Sequence, residues 1–300
     1  MIRLCPDISI CICTYNRPNM LLRLLKELKN QRTDGKFTYS VVIVDNDYKQ
    51  SARKIVDFMK SKCSFSIDYY AEPIQNISLA RNMAIQNAQG DFIAFIDDDE
   101  FPTSAWLFNH YNFLCRSTAD GSLGPVLPYY EIEPPSWVLK GKFFNRPSYR
   151  TGSVLRWNET RTGNVLLKRD LFSSNEIAFD PKFGGGGEDK DFFRRKIKQN
   201  RQFAWCEEAS VYESIPELRW TRSFMLRRAL HRGKADAHST SQDVMSISKS
   251  LAAIIVDTLA LPISLFFGYH IFRWTLIRDC YHLGKIAALC RIDIIKEKYV

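Results

Sequence analysis

Residues 92–100 read Phe92-Ile93-Ala94-Phe95-Ile96-Asp97-Asp98-Asp99-Glu100. Five apolar residues run straight into four acids. A short apolar run of this length, bounded by a turn, is a strand buried on both faces. The acids then sit where that strand leaves the sheet. Buried together without a partner, like charges repel and some take up protons. A divalent cation removes that conflict, and carboxylate oxygens from Asp97 and Asp99 suit Mg2+ or Mn2+ beside substrate phosphates. A solvated acidic turn is the plainer alternative.

Working outward, the same pattern recurs. Residues 8–13 (Ile-Ser-Ile-Cys-Ile-Cys) form an apolar strand followed by the polar turn Thr14 to Pro18. Leu21, Leu22, Leu24, Leu25 and Leu28 then fall on a helical stripe, with Pro18 in its first turn. Val41 to Val44 make a second strand, closed by Asp45-Asn46-Asp47, and a helix is expected over residues 51–61. Ser78 is expected to cap a third helix running to Gln89 and ending at Gly90. Strands alternating with helices indicate a mainly parallel sheet covered on both faces. Three strands end in polar groups, and ligands of such sheets bind at those carboxyl ends. One shared site is therefore expected at Thr14 and Asn16, Asp45 and Asp47, and Asp97 and Asp99.

The 300 residues are 45% hydrophobic and 25% charged, a globular composition. The net charge of +9 is uneven: residues 190–300 hold 19 Lys/Arg against 11 Asp/Glu, a net +8. A polyanionic partner is implied there, such as phosphates or an anionic membrane surface. Aromatics interleaved with basic residues are too sparse for a nucleic-acid groove. The eight cysteines form no Cys-x-x-Cys pair, and no His cluster completes a zinc site. Cys11 and Cys13 would share one strand face as reduced thiols. Met1 to Asp7 lacks the apolar core of a signal peptide. There are no internal repeats.

In order along the chain stand Ser9-Ile10-Cys11-Ile12-Cys13-Thr14-Tyr15-Asn16-Arg17, Val42-Ile43-Val44-Asp45-Asn46, Ser78-Leu79-Ala80-Arg81-Asn82, Phe95-Ile96-Asp97-Asp98-Asp99, Thr162-Gly163-Asn164 and Gly187-Glu188-Asp189. Over residues 8 to about 235 this chain resembles the inverting family 2 glycosyltransferases of GT-A fold. The resemblance implies an α/β, Rossmann-like sheet flanked by helices, a nucleotide-sugar donor (often a UDP-sugar), Mn2+ or Mg2+, and inversion at the anomeric carbon. It implies that Thr14 and Asn16 line the nucleoside pocket, that Asp45 meets the base, and that Arg81 lies near the diphosphate and Asp98. It makes Asp97 and Asp99 the Asp-x-Asp pair and gives Asp98 to ribose or sugar. Helix capping by Thr14 or Asn16, and a turn role for Asp45, are the structural alternatives.

Four glycines, Gly184 to Gly187, precede Glu188-Asp189, which opens a helix. An acceptor hydroxyl is a poor nucleophile and needs a carboxylate to take its proton. The resemblance gives that role to Asp189, with Glu188 orienting the acceptor hydroxyls or backing up the base. Acids at a helix N-terminus are also favoured by the dipole. Glu213 stands where many relatives carry a ligating His, so it is the third candidate metal ligand, with an edge-strand surface acid as the alternative. Arg219-Trp220 resembles part of the Gln-x-x-Arg-Trp motif of processive synthases, but position 216 is Pro. Transfer of a single sugar is therefore expected. Arg222 and Arg227, with Arg228, are expected to close over the donor diphosphate or to face lipid headgroups.

Residues 251–272 are strongly apolar but contain Asp257, Pro262, Gly268 and His270. Lys249, Arg273, Arg278, Lys285 and Arg291 flank or close this stretch. A broken hairpin or interfacial helices on the cytoplasmic face of the inner membrane are expected, with a spanning helix and an ordinary core or dimer contact as the alternatives. The domain expectation is 1–235 for the transferase, with halves 1–100 and 101–235, and 236–300 for a membrane-associating helical region. The acceptor expected from the resemblance is a glycan or lipid-linked glycan of bacterial surface polysaccharide synthesis. A nucleotidyltransferase is disfavoured, because no Gly-rich phosphate loop with a Lys follows the first strand. The remaining rival is a non-catalytic nucleotide- or polyanion-binding protein on the same fold.

Overall fold

The computed structural model describes residues 5–172, 176–239, 244–290 and 292. Arg291, named above as a flanking charge, lies outside them. The described residues pack as two compact units: Met1–Tyr129 with Arg146–Ser214, and Tyr130–Asn145 with Ile215–Val300.

In the first unit, β1 (Asp7–Thr14), α1 (Pro18–Leu28), β2 (Thr38–Asp45), α2 (Arg53–Lys60), β3 (Ile67–Ala71), α3 (Ile77–Asn87) and β4 (Phe92–Phe95) follow one another. Then come β5 (Glu100–Pro102), α4 (Trp106–Arg116), β6 (Gly121–Leu123) and β7 (Val126–Tyr129). The second unit contributes α5 (Ser136–Gly141), after which the chain returns through β8 (Val165–Lys168), α6 (Glu188–Lys198), β9 (Phe203–Trp205) and β10 (Val211–Ser214). Seven strands form one sheet in the order β3-β2-β1-β4-β8-β6-β9. Pairing is parallel except where β8 runs against β4 and β6. A small sheet, β5-β10-β7, completes the unit.

Strand alternation divides the core. Ile8, Ile10, Ile12, Val41 and Ile43 pack with Leu21, Leu24, Leu25 and Trp106 on one face. Cys11, Val42 and Val44 pack with Ala80, Ala84, Phe192 and Phe193 on the other. Cys11 and Cys13 do share a face, and the cysteines are free thiols. Burial pushes the Cys13 thiol up to about 12.

Two local expectations need correction. The cap of α3 is Asn76, whose side chain accepts from the Ser78 and Leu79 amides, and the helix ends at Asn87 rather than Gln89. Ser78 is buried inside the first turn, so its hydroxyl is not available as the cap. Strand β3 was not anticipated, because Ile67-Asp68-Tyr69-Tyr70-Ala71 lacks the run of aliphatic residues seen in β1 and β2.

The second unit holds α7 (Arg222–Ser239), α8 (Val244–Phe266) and α9 (Tyr269–Leu289). Pro262 lies inside α8; the break comes instead at Gly268, with φ +121°. Residues 247–266 are long and apolar enough to cross a membrane by length and composition alone.

Candidate active site

The carboxyl ends of β1 and β4 meet, because the two strands pair in parallel. The Thr14 hydroxyl donates to Asp98 Oδ2 at 2.8 Å. The Arg17 guanidinium reaches Asp98 Oδ1 at 3.1 Å and Asp99 Oδ2 at 3.4 Å. Burial pushes the Asp98 carboxyl up to about 6, with Arg17 opposing the shift and Asp99 adding to it. Thr14 therefore serves the acids and not the helix: the N-cap of α1 is Arg17, without a side-chain cap bond. Asn16 is exposed, in the left-handed region at φ +52°, which Asn tolerates better than most residues.

Arg81, on α3, bridges toward the second half of the chain. Its guanidinium pairs with buried Glu188 and lies 3.5 Å from Asp97 Oδ1. Burial raises Glu188 to about 7 against the pull of Arg81. Asp189 is half-buried at the start of α6, its Oδ1 accepting from the Lys190 amide at 2.7 Å. The preceding Gly186 and Gly187 adopt φ +124° and +95°, a region open to glycine. The glycine run is thus used for an abrupt backbone turn that delivers both acids.

Asp45 is fully buried. Its oxygens accept from the Asp47 amide at 3.1 Å, the Ala52 amide at 2.8 Å and the Tyr69 hydroxyl at 2.9 Å. Its geometry is that of a turn acid, holding the loop from residue 46 to 52 in place.

Glu100 and Glu213 are directly opposed on β5 and β10. Glu213 is buried on the central strand of its sheet, which removes the reading of an edge-strand surface acid. It pairs with Arg146. Arg161 is half-buried; desolvation and then Arg146 bring its guanidinium down to about 10. Glu100 was not anticipated as a site residue. Burial, then Asp97, keep its carboxyl well above the usual range, and its Oε1 has no hydrogen-bond partner. A Cβ at Gly163 would lie 2.9 Å from both Asp97 Oδ2 and Glu100 Oε1, so a bare backbone is needed there. Glu100 follows Asp97 to Asp99 directly and accepts from the Asp97 amide at 3.2 Å; pairing across the small sheet is what adds Glu213 to this cluster.

These carboxylates form an all-oxygen donor set of the kind hard divalent cations take. The buried Glu100 oxygen without a hydrogen-bond partner fits a donor set suited to a cation. Among the described residues, however, no three His, Cys, Asp or Glu side chains already converge as a metal cage. Arginines stand on the acids instead.

Asn164 of Thr162-Gly163-Asn164 has a structural task. Its Nδ2 donates to the Pro125 and Ala209 carbonyls at 2.8 Å, so Oδ1 faces the donors Trp106 Nε1 at 2.7 Å and His110 Nε2 at 2.9 Å. His110 Nδ1 is then left to accept from Ser122 at 2.8 Å. Arg222 and Arg227 are exposed on α7, in the second unit.

The chain matches the family described as Glycosyl transferase family 2 over residues 9–171. It is 35% identical over 231 residues to the succinoglycan biosynthesis protein ExoM of Rhizobium meliloti (strain 1021), covering 76% of this chain and 73% of that protein. Among solved structures it resembles the mannosyltransferase PcManGT from Pyrobaculum calidifontis, in complex with GDP-Man and Mn2+ (15% identity, 98% of this chain and 89% of that one, TM-score 0.65). It also resembles S. aureus TarS 1–349 in complex with UDP-GlcNAc (17% identity, 97% and 95%, TM-score 0.56). At such identities these two show the fold. The family match and the ExoM likeness together place the chain in glycosyltransferase family 2, as a glycosyltransferase of GT-A fold.

Proposed function

We propose that this enzyme moves one sugar, with inversion, from a UDP-sugar to a glycan or lipid-linked glycan acceptor. The setting is bacterial surface polysaccharide synthesis at the cytoplasmic face of the inner membrane. The observation that carries the reading is the linked network Thr14–Asp98–Arg17–Asp99 and Asp97–Arg81–Glu188. It joins two strand ends, α3 and the start of α6 around one set of acids. The ExoM name supports the polysaccharide setting. The nucleotide sugars held by the two structural neighbours support the donor class.

Asp97 and Asp99, with Glu213, are the residues that would hold Mn2+ or Mg2+. The bound ion would supply positive charge to the leaving diphosphate. Arg17 would have to release Asp99, and Arg146 would have to release Glu213, for those oxygens to serve. Thr14 and Asn16 border the nucleoside, and Asp45 keeps the loop beside it in shape. Asp98, held by Thr14, faces ribose or sugar. Glu188, paired inside, positions Arg81 toward the diphosphate. Arg222 and Arg227 are the cations proposed to cover that diphosphate.

Asp189 is the general base. It accepts the proton of the acceptor hydroxyl as the acceptor oxygen bonds to the anomeric carbon. The bond from that carbon to the diphosphate oxygen breaks in the same displacement, and its electron pair leaves with the nucleoside diphosphate. No covalent enzyme intermediate forms. The test is nucleotide release from a panel of nucleotide sugars, with Mn2+ or chelator, for wild type and Asp189→Asn. Metal-dependent release from one donor, lowered roughly 10²–10⁴-fold in the variant, is expected. Release that ignores the chelator, or survives in Asp189→Asn, would overturn the assignment.

A further inference from the structure

Helix α8 is built inside out. Among its described side chains the buried positions are Ser250, Asp257 and Ser264, spaced seven apart on one stripe. Its outward face carries Leu251, Ile255, Val256, Leu259, Ile263 and Phe266, from 48% to 90% exposed. In water a helix hides the second set and shows the first. The inversion is stabilised from within. Asp257 is paired through both oxygens with Arg278 of α9. On the far side of α9 the packing depends on small residues. A Cβ on Gly233 of α7 would lie 2.0 Å from the Tyr281 carbonyl, and one on Gly284 would lie 2.2 Å from the Leu230 carbonyl. Close helix approach at small residues, with polar groups paired inward, is how helices pack when the surrounding solvent is apolar.

We propose that α8 lies in the plane of an anionic bilayer surface, its outward face sunk to the acyl boundary. The proposal rests on the membrane location given above and specifies the surface that provides it. The outward face extends from Leu251 to Phe267, about 25 Å at 1.5 Å per residue. Two features oppose an upright, spanning placement. Arg278 is about ten residues beyond the turn and its side chain is 59% exposed. At the turn itself α5 packs on α9: Trp274 donates to the Gly141 carbonyl at 2.6 Å, and Phe143 stacks on Trp274 with centroids 5.2 Å apart. That segment carries exposed Lys140 and Lys142, which a deep insertion would drag into hydrocarbon. Charge selects the bilayer over a second copy of the chain. Residues 222–290 hold nine Lys/Arg against four Asp/Glu; Arg273 of the former and Asp257 and Asp279 of the latter are buried, so the excess of positive charge stays at the surface. Two such surfaces repel each other, whereas each attracts anionic headgroups.

The test uses the full chain and vesicles of phosphatidylethanolamine with or without phosphatidylglycerol. Wild type is expected to sediment with the phosphatidylglycerol vesicles and to be released by alkaline carbonate. The exposed-site triple variant Leu259→Gln, Ile263→Gln, Phe266→Gln is expected to bind at least tenfold more weakly, with its melting temperature and nucleotide binding unchanged. Binding by wild type that the triple variant shares would overturn the α8 assignment and leave the membrane location standing. Failure of wild type to bind either vesicle would overturn both. Retention after carbonate would replace the in-plane helix with a spanning one. A wild-type dimer in ultracentrifugation, lost in the variant without vesicle binding, would make a second copy the occupant.

Discussion

Arg17 shows how a single side chain can hold two neighbouring acids. Its one nitrogen contacts both Asp98 and Asp99, so the acids proposed to meet the donor and the ion are held by an internal cation. Removing that competitor should strengthen divalent-ion binding. A partly exposed ion pair contributes about 1 kcal/mol, equivalent to roughly fivefold in affinity. Calorimetry is expected to show Arg17→Met binding Mn2+ tighter by about that factor, with Asp99→Asn abolishing the binding. Unchanged Mn2+ affinity in Arg17→Met would mean that the guanidinium does not compete. Arg17 stood in the quoted Thr14-Tyr15-Asn16-Arg17 motif, yet no role for it was legible there. Its reach to residue 98 depends on β1 lying beside β4.

At the scale of elements, the start of α3 depends on Asn76. It caps two amides, and its Nδ2 also donates to the Pro181 carbonyl at 2.9 Å. Asn76→Ala is expected to lower stability by about 1 kcal/mol, read by urea unfolding. Because α3 carries Arg81, the same change should also weaken donor binding. A stability loss with donor affinity intact would show that the Pro181 contact does not matter to the site. The helix was legible from its pattern, but its cap was not: Asn76 and Ser78 are both good capping residues, and only the backbone at Asn76, extended at φ −161°, distinguishes them. Strand β3 was missed for a related reason. Its Asp68 and two tyrosines do not read as a buried run, although pairing with β2 makes them a strand.

Across the whole molecule, His110 ties α4 to β6 and to Asn164. Burial brings its imidazole down to about 4 from the usual 6.5. The unfolded chain therefore binds a proton that the folded chain refuses between those values. Stability from this group is complete above pH 6.5 and is lost as pH falls toward 4. Integration gives a loss of about 2 kcal/mol at pH 5 relative to pH 7. Urea unfolding across that window is expected to show this loss, and His110→Gln is expected to flatten it. An identical slope in the variant would place the acid sensitivity elsewhere.

The sequence by itself determined the strand–helix alternation, the polar strand ends and the family. Each of these rests on local periodicity or on a contiguous motif. The tertiary structure alone decided which acids share one electrostatic site. Glu100 and Glu213 are 113 positions apart, and only β5–β10 pairing opposes them. It likewise decided what the apolar C-terminal stretch does with its charge. Asp257 sits within the apolar stretch, and its pairing with Arg278 across α8 and α9 turns it inward. Hydrophobic period reports which residues can be hidden together. Which partners hide them depends on contacts between segments far apart in the chain.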